Sequence, residues 1–178
     1  MSERAPNDLF LSQSCEYLSR TYPERLGRAL AALPVGDLWW QPHSGALSVG
    51  TIILHLEGNV RQWILSGLGD EPDERERARE FADAQREERS GERKELFERL
   101  QATTRAAAEK IAALGQEPLD TVLVIQGFEV TRMKAIYHVV EHFSWHVGQA
   151  VWIAKARAGS DHGIAFYDEN QINRGRNS

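Results

Sequence analysis

One helix-length stretch constrains this chain most. The run from Tyr137 to Gln149 reads Tyr-His-Val-Val-Glu-His-Phe-Ser-Trp-His-Val-Gly-Gln. Within and around it, Ile136, Val139, Val140, Phe143, Val147, Ala150 and Ala154 recur at the period of an amphipathic helix. A helix is therefore expected from about Met133 to Ala158, stopped by Gly159. Such a stripe must be buried against other elements. His138, His142 and His146 stand four apart inside it, half of the six histidines in the chain. Residues four apart stack on one helix face, with Cβ atoms about 5–6 Å apart. Neighbouring imidazoles so placed suit a divalent cation.

The rest of the chain supplies partners of the same kind. A first helix is expected from about Asn7 to Leu33, kinked or split near Thr21 by Pro23. Pro34 to Gly45 reads as a loop. Ser48 can cap a second helix, from Val49 to about Gly67, whose Val49, Ile52, Ile53, Leu56, Val60, Trp63 and Ile64 share one face. A third helix is expected from about Arg93 to Leu114, ended by Gly115. Between Leu119 and Thr131 the β-branched and aromatic residues predict a hairpin turning at Gln126-Gly127. Four long amphipathic helices and one short hairpin before the last of them predict an all-α antiparallel four-helix bundle. One domain over residues 1–178 is expected, with a solvated charged linker over about 69–92 and a tail over about 160–178. Ile164-Ala-Phe-Tyr167 in that tail is expected to dock on the bundle.

Composition excludes several classes. A net charge of −5 gives no general attraction to nucleic acid. No apolar run reaches the roughly 20 residues that span a bilayer. The opening Met1-Ser-Glu-Arg-Ala-Pro lacks the pattern of a secretory leader. The single cysteine, Cys15, precludes an internal disulfide framework. A cytoplasmic protein without nucleic-acid or membrane partners is expected. Cys15 is expected to be a buried, inert thiol rather than a nucleophile.

The histidine row lies on the flank of its apolar stripe, and each step of four drifts about 40° towards the stripe. His146 is thus expected nearest the core and His138 farthest out. Those two are about 12 Å apart along the axis, too far to share an ion. The pair facing inward is His142 and His146. A third ligand must come from elsewhere, and His55 is the best placed, about 60° from Ile52 on the second helix. Asn59 and Gln62 continue its flank, and with Gln149 could hydrogen-bond ligands or bound water. His43 and His162 fall in loops. Two other accounts stay open at this point. His138-Val-Val-Glu141-His142 matches H-x-x-E-H, with Glu141 as base. The triplet could also be an interhelical hydrogen-bond network around core histidines.

Three segments together resemble a known superfamily. Trp39-Trp-Gln-Pro, Ser48-Val-Gly-Thr-Ile-Ile-Leu-His55-Leu and His142-Phe-Ser-Trp-His146-Val-Gly-Gln149 are similar to the DinB-like superfamily of metal-binding bundle proteins. Ile125-Gln-Gly-Phe-Glu-Val and the closing Gly-Ile-Ala-Phe-Tyr167 narrow the resemblance to an uncharacterised bacterial subfamily. The resemblance implies helices in up-down-down-up order. It implies one divalent metal, nickel or zinc, held by His55, His142 and His146. His138 matches no ligand position and would stand beside the pocket. Members resemble thiol S-transferases, hydrolases or isomerases, so a small-molecule substrate is implied, with a low-molecular-weight thiol one possibility.

Three imidazoles leave open positions on an ion, the mark of catalytic rather than structural sites. A metal-dependent enzyme of transferase or hydrolase type is the first expectation, and a binding protein without turnover the alternative. Glu141 and Glu57 each neighbour a ligand in sequence, but adjacent helical residues point about 100° apart. Trp39, Trp40, Trp63, Trp145 and Trp152 are expected to pack the core or a homodimer face, with one or two at the pocket mouth.

Overall fold

The computed structural model describes residues 6–82 and 86–167. The expectations for the first five residues and for the tail beyond Tyr167 lie outside these. The described chain is mostly helical, with one small two-stranded antiparallel sheet before the last helix.

The first helical span comprises α1 (Pro6–Glu16), a π-helical turn (Tyr17–Thr21) and α2 (Tyr22–Ala32). Pro23 has no N–H, and its ring crowds the Ser19 carbonyl four residues back. The widened π turn just upstream takes up that conflict, and it divides the span into α1 and α2 at Thr21, where the interruption was expected. Ser48 then caps α3 (Val49–Val60), its Oγ accepting the Thr51 N–H at 3.0 Å. A second π-helical segment, Arg61–Ser66, extends α3. Ile52, Ile53, Leu56 and Val60 are fully buried along it.

A short helix α4 (Arg77–Ala82) and a long α5 (Glu92–Ala113) follow. Strands β1 (Val122–Ile125) and β2 (Phe128–Thr131) pair with Val122 opposite Thr131 and Ile125 opposite Phe128. Their turn puts both Gln126 (φ 53°) and Gly127 (φ 78°) in the left-handed region, as a tight two-residue hairpin requires. Thr131 caps α6 (Arg132–Ala158), accepting the Lys134 N–H at 3.1 Å, and Gly159 (φ 78°) ends it.

α2 lies along α6, α3 packs on both α5 and α6, and α1 packs on α5. One continuous apolar cluster joins them, with Tyr22 stacked on Phe143 at 5.8 Å between ring centres. Trp39 reaches this cluster because Gly50 has no side chain; a Cβ there would sit 2.7 Å from the indole. Ile164 is buried and Phe166 packs on the same cluster, which docks the closing segment as expected. Among the described residues no helix is long and apolar enough to cross a membrane.

The charge block departs from its expected role as a solvated linker. Glu80 and Glu92 are buried, and α4 packs directly on α3. Arg93 closes the end of α2, donating to the carbonyls of Leu30 (2.8 Å), Leu33 (2.6 Å) and Pro34 (2.9 Å). Its positive charge suits a helix C-terminus. Glu92 accepts from the Trp39 indole N–H (3.1 Å) and the Arg89 amide (3.0 Å), and pairs with Arg86 at 2.7 Å. Charges so paired can be buried together, whereas each alone could not.

Burial by itself would raise the Glu92 carboxyl, but the Arg89 amide, the Trp39 indole and Arg86 together hold it below the ordinary carboxylate range. A folded-state value below the unfolded one contributes stability above the unfolded pKa of about 4.3, lost as pH falls through the folded value. Glu92→Gln is therefore expected to cost about 2 kcal/mol at neutral pH. It should also flatten the loss of melting temperature below about pH 5. Melting curves across pH check both, and an unchanged acid limb would contradict the role given to this carboxylate.

Candidate metal centre

His55 projects from the middle of α3 and is buried, 7% exposed. His142 and His146 project from successive turns of α6, which packs beside α3. Their rings converge. His55 Nε2 lies 3.1 Å from His142 Nε2, and His146 Nε2 lies 3.1 Å from the same atom. Ring centres are 4.9 Å apart for His55 and His142, and 5.0 Å for His55 and His146. Among the described residues this is the one group of His, Cys, Asp or Glu whose ligand atoms all lie within 4.8 Å of one another.

The opposite ring nitrogens decide what the inner ones can offer. His55 Nδ1 is 2.8 Å from Glu80 Oε2, and His146 Nδ1 is 2.8 Å from Gln149 Oε1. Arg75 Nη2 also lies 3.2 Å from His55 Nδ1, but it donates to Glu80 Oε2 at the shorter 2.9 Å. The Glu80 and Gln149 oxygens can only accept, which assigns the hydrogen to each Nδ1. Each corresponding Nε2 then presents a lone pair inward. His142 Nδ1 is buried without a partner. At most one of the three inner nitrogens can bear a hydrogen while the rings are neutral.

Burial holds the two α6 rings neutral. His142 is pushed down to about 3, by burial first and then by His146, His55, His138 and Arg75. His146 is also lowered, by burial first, with its Gln149 bond opposing. Three imidazole nitrogens facing one point match a divalent ion of the zinc or nickel kind. Bonds of about 2.0–2.1 Å at tetrahedral angles would separate two nitrogens by about 3.3 Å, close to the two 3.1 Å spacings to His142, while all three ligand atoms lie within 4.8 Å of one another. The cluster fits such an ion.

Two further residues of this arrangement are ones that hydropathy does not set apart from their charged neighbours. Arg75 and Glu80 come from the charge block and are nearly enclosed, at 5% and 9% side-chain exposure. Arg75 Nε donates to Glu80 Oε1 at 2.6 Å and its Nη2 to Oε2 at 2.9 Å. Burial would raise the Glu80 carboxyl, but bonds from Arg75 and His55 lower it, so it stays ionised. Gly58 makes the approach possible: a Cβ there would lie 2.3 Å from Glu80 Oε1 and 3.0 Å from Arg75 Nε.

The other candidates fall into place around this core. Asn59 is 4% exposed, and its Oδ1 has no partner. Gln62 forms no hydrogen bond to the histidines; it accepts from Arg75 Nη1 at 2.9 Å and donates to Asp73 at 2.8 Å. It therefore supports Arg75 rather than a ligand. His138 stands against Trp63, 4.2 Å between ring centres, outside the converging group. That placement, with Glu141 exposed, leaves the H-x-x-E-H reading without a third ligand. Glu57 is turned away and bonded to Arg99. His43 and His162 brace their own loops, accepting from the Gly45 and Ile164 amides. Cys15 donates to the Ala108 carbonyl at 3.2 Å, and burial raises its thiol, as an inert role requires. Trp39 and Trp63 are buried, while Trp145 and Trp152 stand exposed along a groove of about 600 Å³ with His43 and Gln149.

A family model described as "Protein of unknown function (DUF1572)" matches residues 7–165. The chain belongs to the DUF1572 family. No curated protein and no solved structure matches it. The match covers every element that builds the centre, from α1 through α6, including the α4 segment that carries Glu80.

Glu80→Gln keeps the shape but no longer holds an anion against His55 Nδ1. It is expected to weaken zinc or nickel binding by about 10–100-fold with helical content retained. Competition titration with a chromophoric chelator measures this; unchanged affinity would remove Glu80 from the centre. Gly58→Ala sets two effects against each other. Alanine in a helix interior normally gains about 0.5–1 kcal/mol over glycine. Here the methyl group must expel Glu80, so metal affinity should fall towards that of Glu80→Gln. Wild-type affinity in Gly58→Ala would show that Glu80 does not depend on the gap.

Proposed function

We propose that this protein is a metal-dependent enzyme acting on a small molecule, with His55, His142 and His146 holding one divalent ion, nickel or zinc. The observation that carries this reading is the convergence of three Nε2 atoms from two helices, two of them oriented by acceptors on the far side of their rings. The His55–His142 edge of the cluster borders a cavity of about 470 Å³, so the ligand set is open on the side a substrate would approach.

Bound there, a divalent ion supplies Lewis acidity and lowers the pKa of a water or thiol that it coordinates. The chain's own residues do the rest. Glu80 keeps the hydrogen on His55 Nδ1, and Gln149 does the same for His146, so both inner lone pairs stay available. Arg75 locks Glu80 in its ionised form. The reaction class is thiol S-transfer or hydrolysis, with a low-molecular-weight thiol the favoured substrate of the first. A homodimer of the cytoplasm, paired through the exposed Trp145–Trp152 face, completes this reading. So does an up-down-down-up four-helix bundle of the DinB-like superfamily, which the histidine positions and the helix lengths support.

One observation favours a second reading, a metal- or ligand-binding protein without turnover. Both Glu80 oxygens are engaged by Arg75 and His55, so the carboxylate nearest the cluster is not free to act as a base. Elemental analysis of protein purified without a histidine tag is expected to find about one ion per chain. His142→Ala should lose it while staying folded by circular dichroism. Absence of metal after loading with zinc and with nickel would end the proposal. Turnover in a screen of thiols with electrophiles, lost in His55→Ala, separates the enzyme from the binding protein.

A further inference from the structure

The cavity beside the cluster has a chemistry of its own, and the ligand assigned to it rests on the metal centre proposed for the three histidines. His55, Asn59 and His142 border its inner end. Asn59 is 4% exposed and its Oδ1 finds no donor in the protein. Buried acceptors are nearly always paired. An unpaired one at the edge of a ligand cluster calls for a donor on whatever enters.

The other end is cationic. Lys134 lines it, while Arg77 lines the cavity nearer His55, lying over the Phe81 ring at 5.0 Å, itself 5.3 Å from the His55 ring; among the described residues neither cation forms an ion pair. Arg75 also lines the cavity, but Glu80 balances its charge. Glu129 is the remaining carboxylate of the lining. One net positive charge is left for a single anionic group. Between the ends, His138 on Trp63 and the exposed ring of Phe128 form flat walls. This gives His138 a place that metal binding did not.

Spacing fixes the length. Lys134, His138 and His142 are successive steps of four on α6, so the cationic end lies about 12 Å along the axis from the ligand cluster. A cavity of about 470 Å³ holds a small molecule of that reach.

We propose that this cavity binds a small carboxylate whose other end, about 12 Å away, carries a metal-binding atom next to an N–H or O–H group. The metal-binding atom meets the three histidines, the donor meets Asn59 Oδ1, and the carboxylate meets Lys134. The test uses full-length protein loaded with cobalt(II), whose absorption reports a new ligand on the ion. The first probe is mercaptoacetyl-ε-aminohexanoate, which has a thiol, a nearby amide N–H and a terminal carboxylate. It is compared with its neutral terminal carboxamide and with ω-mercaptononanoate, which has the same chain length and no amide.

The acid is expected to bind about tenfold tighter than the carboxamide. Lys134→Gln, two helical turns from His142, should erase that preference and leave carboxamide affinity unchanged. Asn59→Ala should weaken the amide-bearing acid several-fold and leave ω-mercaptononanoate as it was, a contrast that a folding defect would not give. Equal affinity of acid and carboxamide overturns the assignment, as does an equal loss for both probes in Asn59→Ala. Failure to take up cobalt overturns this inference and the metal reading together, whereas uptake without preference overturns this inference alone.

Discussion

The hydrogen bond from His55 Nδ1 to Glu80 is the contact on which the centre depends. An imidazole has two nitrogens and, when neutral, one hydrogen. Whichever nitrogen holds that hydrogen cannot give a lone pair. By accepting at Nδ1, an ionised carboxylate commits His55 Nε2 to the inside of the cluster. Gln149 does this more weakly for His146, since a neutral amide oxygen is a poorer acceptor than a carboxylate. His142, with no partner at Nδ1, is the ligand whose hydrogen is least constrained. The centre is thus graded, from a ring fixed by charge, through one fixed by a dipole, to one that packing alone restrains.

The fold serves this contact in two ways. Placing α3 against α6 brings His55 opposite two turns of the last helix, which fixes where the inner nitrogens meet. Laying α4 over α3 brings a buried carboxylate to the back of the His55 ring. The second placement needs a counter-ion, because a lone carboxylate so enclosed would take up a proton and lose its hold. Arg75 provides it, five residues away on the same segment. Gln62 accepts from Arg75 and from Gln126 at the hairpin turn, so the sheet before α6 is tied into the same network.

Much of this was legible in the residues, and the reason is periodicity. The long helices were visible because their apolar faces repeat over many turns, and the hairpin because Gln126-Gly127 interrupts a β-branched run. His55, His142 and His146 were legible because each lies on the flank of an apolar stripe, where facing helices meet. Glu80 and Arg75 were not. In a block where nearly every residue is charged, hydropathy cannot tell a buried ion pair from a solvated one. The distinction depends on long-range packing, which local pattern does not encode. The same limit explains why the segment read as a linker and why Gln62, on the right flank of α3, turned out to brace Arg75 instead of a ligand.

One mark of the hidden pair was nevertheless present in the chain. Gly58 sits in the interior of a well-formed helix, where glycine is normally unfavourable, three residues after His55. A glycine kept at such a cost implies that something must come close to the backbone there. The structure identifies it as the Glu80 carboxylate with its Arg75 partner. The missing side chain on α3 and the buried charges on α4 are therefore two halves of one device. The void makes room for the carboxylate, and the carboxylate orients the ring one turn back. The gap on α3 and the ion pair on the charged segment thus meet at one point, and through the carboxylate they tie that segment to the histidine cluster.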